Sequence, residues 1–278
     1  MRGNVWLVLL AIGLGATACG EGAGAPAAGP ASPSPAASAA PTTTPAATPK
    51  LEMPSVLLDV RAGAEVSRPG TIPPAPGGAV TRGPETHAVD EAGLVWLFDQ
   101  AKSRVAVYDR DGFVRAVAVP DVPRGAGGLL VTGGRLYFRL ADDHGVGYRE
   151  LELDATTGRV LRDVDLRAGA ASIYPFERVA LAWIPSTQKG VDDRLGHDAF
   201  GNEYLRHYFL QSRAGQCFFV VRRVTPFGDV VAEACFDVGS TARDYFVRRD
   251  GAVYQLEQLY TGASLDRFAV TQIMSPAR

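Results

Sequence analysis

One short motif, a glycine followed three residues later by an aromatic residue, recurs along this 278-residue chain and constrains its fold more than any other feature. The copies of this Gly-x-x-aromatic motif that define the repeat are Gly93 to Trp96, Gly134 to Tyr137, Gly201 to Tyr204 and Gly251 to Tyr254. Internal similarity at a spacing of several tens of residues indicates one supersecondary unit that is repeated around a shared core.

A second glycine turn follows each of the first three copies, and short alternating apolar runs flank it. These turns are Asp111-Gly112, Thr157-Gly158 and Phe227-Gly228. Alternation of apolar and polar residues on both sides of a glycine turn is typical of β-hairpins. In the first copy the pattern predicts strands over 86–89, 94–98, 104–108 and 113–119, so we expect an all-β domain.

Four antiparallel strands in every repeat is the arrangement of a β-propeller blade. The stretch from Val89-Asp90-Glu91-Ala92-Gly93 through Tyr108-Asp109-Arg110-Asp111-Gly112 resembles the blades of NHL and YVTN-like propellers. The resemblance covers most of 86–270 but is lost between Gly158 and Gly201. In that interval, residues 179–184 are predicted to form an additional strand or a degenerate blade. We therefore predict a β-propeller of four to five four-stranded antiparallel blades, with an open β-sandwich as the alternative.

The last copy of the repeat contains only three predicted strands, over 243–247, 252–259 and 264–270. Its outer strand is missing from the sequence that follows. Residues 55–60 form an apolar alternating run ahead of the first repeat and could supply that strand. Pairing the first strand with the last blade would close the ring and remove an exposed sheet edge.

The amino terminus has the pattern of an export signal. A short positive segment with Arg2 precedes an apolar run over 5–14, which is too short to span a bilayer of about 30 Å. The sequence Ala16-Thr17-Ala18-Cys19 that follows resembles the lipobox of bacterial lipoproteins, which implies lipidation of Cys19 and a membrane anchor on the extracytoplasmic side. Ala16-x-Ala18 also suits ordinary signal peptidase, which would leave Cys19 as a thiol.

Residues 19–50 have a different composition from the rest of the chain. Ala, Pro, Ser, Thr and Gly dominate this segment, and Gly20 to Lys50 contains no Val, Ile, Leu or aromatic residue that could seed a core. We expect a signal peptide over 1–18, a lipidated cysteine with a disordered linker over 19–50, and the propeller domain over 51–278.

Two further cysteines, Cys217 and Cys235, form an even pair in an exported domain. They flank one predicted hairpin, in which 217–224 and 229–237 pair around the turn over 225–228. That register would place the two cysteines opposite each other or offset by one residue, so a structural disulfide is predicted. Two buried free thiols are the alternative.

Charge and motifs argue against several function classes. The formal net charge is −2, which does not favour nucleic acid as a partner. The chain has no Gly-x-Ser-x-Gly elbow, phosphate-binding glycine loop or paired Cys-x-x-Cys. Two histidines lie beside carboxylates, in Asp142-Asp143-His144 and His197-Asp198, yet such groups are more often solvated turns than metal sites, and we predict neither metal nor cofactor.

The repeated acidic residues Asp90, Asp198 and Asp250 are, with His197, the weak catalytic candidates. Each precedes a motif glycine, and tight turns favour acidic residues there because the side chain bonds to the backbone. We therefore interpret them as turn residues. The motif aromatics Trp96, Tyr137, Tyr204 and Tyr254 could line a channel, but packing between blades is the favoured interpretation.

These features together predict a lipid-anchored exported lipoprotein whose propeller is a non-enzymatic binding, recognition or scaffold module for a protein or glycan of the cell envelope. The resemblance to propellers also implies an alternative. Propeller lactonases and streptogramin lyase-like propellers gather metal ligands or a histidine around the central channel, which would make Asp90, Asp198 and Asp250 the site of a divergent metal-dependent hydrolase or lyase.

Overall fold

The computed structural model describes residues 48–74, 76, 81–123, 126–141, 147–175, 193–208, 219–236, 241–262 and 264–277. The predicted signal peptide over 1–18, Cys19 and residues 20–47 of the predicted linker lie outside these ranges. Two strands, β1 (Lys50–Glu52) and β2 (Ser55–Arg61), precede the first repeat. The predicted boundary of the domain at residue 51 therefore falls within β1.

Four antiparallel four-stranded sheets follow in chain order and form a four-blade β-propeller. Blade 1 contains β3 (His87–Val89), β4 (Val95–Asp99), β5 (Arg104–Asp109) and β6 (Gly112–Ala118). Blade 2 contains β7 (Ala126–Thr132), β8 (Arg135–Ala141), β9 (Gly147–Asp154) and β10 (Val160–Asp165). Blade 3 contains β11 (Asp193–His197), β12 (Glu203–Tyr208), β13 (Phe219–Val224) and β14 (Val230–Phe236). Blade 4 contains β15 (Thr241–Val247), β16 (Val253–Thr261), β17 (Ser264–Met274) and the early strand β2.

The ring is closed by β2, as the sequence predicts. This strand pairs antiparallel with β17, from Ser55 opposite Gln272 to Arg61 opposite Arg267. The short strand β1 was not predicted, and it pairs in parallel with β14 at the edge of blade 3, with Lys50 opposite Ala232. The segment from β1 to β2 thus holds the outer edges of both blade 3 and blade 4.

The described residues form four blades, so the prediction of a propeller is confirmed and the β-sandwich alternative is wrong. Residues 179–184, the candidate for a fifth blade, lie outside the described ranges. Among the helical segments of the described chain, which are 3₁₀ turns at Gln100–Lys102 and Leu166–Ala168, none has the length and apolarity needed to cross a bilayer.

The core fills the spaces between blades. All residues of β3 and β4 are buried, because blade 1 is covered on both faces by its neighbours. The rings of Phe98 and Phe138 meet edge to face at 5.0 Å between blades 1 and 2, and both side chains are fully buried. Each such side chain contributes roughly 1.5–3 kcal/mol of burial free energy, which makes the blades a rigid frame for their connecting turns.

The motif glycines share one backbone conformation, which explains the repeat. Gly93, Gly134, Gly201 and Gly251 have φ values of 85°, 71°, 82° and 86°. This left-handed conformation is rarely adopted by residues with a Cβ atom. Each glycine ends the turn between the first and second strands of its blade. We call the end of the propeller that carries these four turns, over 90–94, 132–135, 198–202 and 248–252, the turn face.

The hairpin that carries Cys235 has a different register from the predicted one. The turn includes Asp229, whose carbonyl oxygen accepts a hydrogen bond from the Thr225 N–H group. A bulge follows, because Val224 pairs with Val230 but Arg223 pairs with Ala232. Together they shift the register, so that Val220 lies opposite Cys235. Cys217 lies outside the described residues, and its disulfide with Cys235 stays a prediction.

Candidate functional site

Asp90 closes the turn of blade 1 and holds the aromatic residue of its motif. One carboxylate oxygen accepts a hydrogen bond of 2.9 Å from the Leu94 N–H group. The other oxygen accepts a hydrogen bond of 2.8 Å from the indole Nε1 of Trp96. The side chain therefore connects the turn to the packed interior of the blade.

Asp198 has the same role in blade 3. Its Oδ1 accepts hydrogen bonds from the N–H groups of Phe200 and Asn202, at 2.9 and 3.0 Å. Its Oδ2 accepts hydrogen bonds of 2.8 Å from the Asn202 amide and from the Tyr204 hydroxyl group. A carboxylate has about four acceptor positions, and these four bonds occupy them. Asp90 and Asp198 thus both bond to N–H groups within their own turns.

Asp250 occupies a different position in the turn. Arg248 stands three residues before Gly251, where the turns of blades 1 and 3 have aspartate. Asp250 accepts a hydrogen bond of 2.9 Å from Nε of Arg248 and one of 3.1 Å from the Ala252 N–H group. Burial raises the pKa of Asp250, but the bonds from Arg248 and Ala252 outweigh it and lower the pKa overall. Asp250 is therefore a charged partner of Arg248.

The three aspartates do not converge on one point as ligands. Arg248 lies between two of them, since its Nη1 donates a hydrogen bond of 2.9 Å to the carbonyl oxygen of Asp90 while the same guanidinium binds Asp250. His197 is half-buried in β11 opposite Glu203, and His144 lies outside the described residues. Within the described part of the chain, no group of three side chains is arranged to hold a metal ion.

The motif aromatics pack inside the propeller. Trp96, Tyr204 and Tyr254 are buried, and Tyr137 is half-buried against the core. An arginine guanidinium lies over three of these rings, in the pairs Arg115–Trp96, Arg223–Tyr204 and Arg248–Tyr254. Burial raises the pKa of the Tyr204 phenol, which keeps it protonated as a donor to Asp198. The burial of these rings agrees with packing inside the propeller.

Two adjoining clefts open on the turn face. The interblade cleft lies between blades 1 and 2, has a volume of about 320 Å³, and is lined by Trp96, Arg115, Gly133 and Thr156 among others. The axial cleft lies beside it at the centre of the ring, with a volume of about 200 Å³. Asp90, Glu91, Val131 and Thr132 line both clefts, so the two form one continuous depression.

The lining of these clefts is polar and of mixed charge. Arg248, Arg249 and Asp250 of blade 4 border the axial cleft, and Glu91 stands exposed between the two clefts. Arg115 lies 4.9 Å from the ring of Trp96 and donates a hydrogen bond of 3.2 Å to the carbonyl oxygen of Ala155 across the blade junction. The described lining residues include no His, Cys, Ser or Lys. Such a surface can form salt bridges and hydrogen bonds.

A buried polar network lies near the axis of the ring. Oδ2 of Asp244, on β15, accepts 3.0 Å hydrogen bonds from the Thr86 hydroxyl and the His87 N–H group, and it lies 3.0 Å from Nδ1 of His87. The Thr86 hydroxyl oxygen also accepts a hydrogen bond of 3.2 Å from the Leu129 N–H group on β7. The network ties the inner strands of blades 4, 1 and 2 together and so fixes the walls of the axial cleft.

Sequence reasoning missed this network, the two clefts and the role of Arg248. Thr86 and His87 stand directly before the apolar Ala88 and Val89, and no pattern in this stretch of sequence marks them as members of a network. Their partner Asp244 lies 158 residues beyond Thr86, so no local pattern joins the two.

No protein-family model matches the chain, and neither does any curated protein. Solved structures do resemble it. Virginiamycin B lyase from Staphylococcus aureus is 14% identical, with a TM-score of 0.24, and the match covers 70% of this chain and 56% of the lyase. A DUF4221 family member from Bacteroides vulgatus is 10% identical, with a TM-score of 0.28, over 66% of this chain and 76% of its own.

A candidate exported protein from Bacteroides fragilis is 13% identical, with a TM-score of 0.28, over 77% of this chain and 54% of its own. The chain spans about half the length of the lyase and of this protein, at 56% and 54%. With identities and TM-scores this low, the likeness carries no argument about activity or ligand.

Proposed function

We propose that this protein is a lipid-anchored lipoprotein on the extracytoplasmic side of the membrane, and that its propeller is a non-enzymatic module that binds another envelope protein through the turn face. The observation that carries the proposal is the continuous depression formed by the interblade and axial clefts, with exposed Glu91 between them. Its walls belong to turns that are fixed by hydrogen bonds of Asp90 and Arg248, so the surface is formed before the partner arrives.

The chemistry of the lining favours binding over catalysis. Asp90, which lines both clefts, bonds to Leu94 and Trp96, and Asp198, which lines neither, uses its acceptor positions within its own turn. Either residue would have to break its turn before it could hold a metal ion. The divergent hydrolase or lyase remains the alternative, and no feature of the described clefts favours it.

A protein partner fits the clefts better than a glycan does. Sugar rings commonly stack on the exposed face of an aromatic residue, yet the described lining offers no such face. Trp96 is 4% exposed and lies beneath Arg115, and Phe246 is 2% exposed. In contrast, arginine and carboxylate groups of both signs suit the polar side chains and main chain of a protein loop.

The membrane anchor is proposed from the sequence alone, on the lipobox-like Ala16-Thr17-Ala18-Cys19. Two acyl chains on Cys19 would give durable attachment. Replacement Cys19→Ala should then move the protein from the membrane fraction to a soluble exported pool. Unchanged membrane retention of the Cys19→Ala protein would mean that lipid on this cysteine is not the anchor.

Partner binding is tested by filling the interblade cleft. Thr156 is exposed in the cleft lining, so Thr156→Trp should block the depression without disturbing the core. Arg110→Trp, in an exposed turn of blade 1 outside the cleft lining, is the matched control. Affinity purification of the full-length protein from detergent-solubilised envelopes should recover a partner with the wild type and with Arg110→Trp, but not with Thr156→Trp. Equal recovery with all three proteins would overturn the proposed site.

A further inference from the structure

Exposed apolar side chains concentrate at one edge of the propeller. Eight large hydrophobic residues are exposed in the described part of the chain, and six of them belong to blade 3 or to the segment that joins β1 and β2. These six residues, which we call the edge patch, are Leu51, Met53, Val56, Phe200, Phe227 and Val231. Their exposed fractions range from 41% to 92%. Single exposed apolar residues need no explanation, but a cluster of this kind indicates an interaction surface.

The contacts of the backbone bring the members of the patch together. Lys50 pairs with Ala232, so β1 with Leu51 lies alongside β14 with Val231. The turns that carry Phe200 and Phe227 touch each other, since a Cβ atom on Gly201 would lie 3.3 Å from Cγ of Pro226. Met53 joins β1 to β2, and Val56 begins the strand that closes blade 4.

The chain itself indicates what covers this patch. Lys50, where the proposed tether meets the folded domain, lies in β1 at the edge patch, and 31 positions separate it from Cys19 (50 − 19). A bilayer that holds Cys19 is therefore always within reach of this edge. Leu, Met and Phe side chains partition into the membrane interface by their apolar area. The net charge of −2 gives no electrostatic attraction to anionic lipid, so the contact has to be apolar.

We propose that the edge patch docks on the membrane to which the protein is anchored, an inference that rests on the proposed lipid anchor at Cys19. Docking gives the propeller a fixed orientation. In a ring of four blades, the edge shared by blades 3 and 4 lies opposite the junction of blades 1 and 2. The edge patch reaches the turn face through Phe200, but the interblade cleft lies at the far side of that face, so it stays clear of the bilayer and accessible to the partner.

The test places a tryptophan reporter in the patch of the full-length lipidated protein. Phe227→Trp suits this because Phe227 is 92% exposed and its replacement leaves the core intact. Val114→Trp, at an exposed apolar residue of blade 1, is the matched control. Both proteins are reconstituted into vesicles of phosphatidylethanolamine and phosphatidylglycerol, with and without bromine on the acyl chains, and the emission added by the new tryptophan is measured.

Brominated lipid should remove most of the added emission of Phe227→Trp and leave that of Val114→Trp unchanged. Docking would be overturned, with the anchor left intact, if the protein floats with the vesicles and brominated lipid quenches neither added tryptophan or quenches both equally. Wild-type protein that does not float with the vesicles, like its Cys19→Ala variant, would overturn the anchor and the docking together. High salt should not restore the lost emission, because the contact is apolar.

Discussion

The hydroxyl group of Tyr204 donates a hydrogen bond of 2.8 Å to the carboxylate of Asp198, six residues earlier in the chain. The indole Nε1 of Trp96 likewise donates a hydrogen bond of 2.8 Å to the carboxylate of Asp90, which also lies six residues earlier. In both blades the aspartate closes the turn after the innermost strand and fixes the aromatic ring that packs inside the propeller. The acidic residue, the glycine and the aromatic residue of the repeat thus form one structural unit.

Replacement of Asp198 should destabilise the fold. Asp198→Ala removes four hydrogen bonds and leaves the buried Tyr204 hydroxyl group without its acceptor, which we expect to lower the free energy of unfolding by roughly 2–3 kcal/mol. Asp111→Ala, in an exposed turn of blade 1, is the control and should stay within about 0.5 kcal/mol of the wild type. Urea denaturation of each full-length protein measures both values.

The same variants test the enzymatic alternative. Stoichiometric calcium, zinc or manganese in the purified wild-type protein, lost when Asp90, Asp198 and Asp250 are changed to Ala, would contradict the non-enzymatic interpretation. A destabilised Asp198→Ala protein without any change in bound metal would agree with the role of this residue in its turn.

Two glycines with the same backbone conformation but different surroundings separate the effect of φ on stability from the effect of packing. Gly93 and Gly251 have nearly equal φ values, 85° and 86°, but a Cβ atom on Gly93 would meet no atom within 4 Å. A Cβ atom on Gly251 would lie 2.3 Å from the Tyr204 hydroxyl oxygen. Gly93→Ala should lower the free energy of unfolding by roughly 1–2 kcal/mol through its left-handed φ, and Gly251→Ala by roughly 1–3 kcal/mol more through overpacking. Equal losses in the two proteins would show that the junction of blades 3 and 4 is not packed as described.

Much of blade 1 could be predicted from the sequence because its signals are local. The strands expected at 86–89, 94–98, 104–108 and 113–119 lie within one residue of β3 to β6 at each end. Alternating apolar residues and a glycine with positive φ specify a strand and its turn without reference to the rest of the chain. The closing strand β2 could also be predicted, since blade 4 lacks an outer strand in the sequence that follows it.

The features that sequence reasoning missed depend on contacts between distant segments. β1 has only three residues, and it forms a strand because β14 offers an edge about 180 positions later. The register around Cys235 depends on the turn that includes Asp229 and on one bulge, and no local pattern in the sequence predicts either. The clefts combine side chains from three blades, so their composition follows only from the closed ring.

A buried carboxylate makes the stability of blade 2 depend on pH. Glu150 accepts hydrogen bonds from Arg139, Ser172 and the Ile173 N–H group. Burial raises the pKa of Glu150, but these bonds outweigh it and lower the pKa below its ordinary value. A carboxyl group whose pKa is lower in the folded state contributes stability above its unfolded pKa of about 4.3, and this contribution is lost as the pH falls.

The variant Glu150→Gln should therefore be less stable than the wild type at pH 7, by roughly 1.5–3 kcal/mol, because a bond to a charged group is replaced by a neutral one. Its unfolding free energy should also fall less steeply between about pH 5 and pH 3. Glu91→Gln, at an exposed position, serves as the control and should match the wild type at pH 7. A Glu150→Gln protein with an unchanged acid profile would be inconsistent with this role.

Cys217 and Cys235 provide a covalent test. Cys235 lies in β14 opposite Val220, and we expect it to form a disulfide with Cys217. A disulfide that closes the loop between Cys217 and Cys235 stabilises the fold by roughly 3 kcal/mol in the chain-entropy model. Non-reducing peptide mapping should recover Cys217 linked to Cys235, whereas recovery of both as free thiols would exclude the bridge.

Site-specific photo-crosslinking in intact cells tests partner binding at the clefts most directly. A photoreactive amino acid at Glu91, the exposed residue that lines both clefts, should form one discrete crosslinked product with another envelope protein. The same amino acid at Arg110, exposed on an outer turn of the same blade, should not form this product. Absence of any product from Glu91, or the same products from both positions, would contradict a binding site at the clefts.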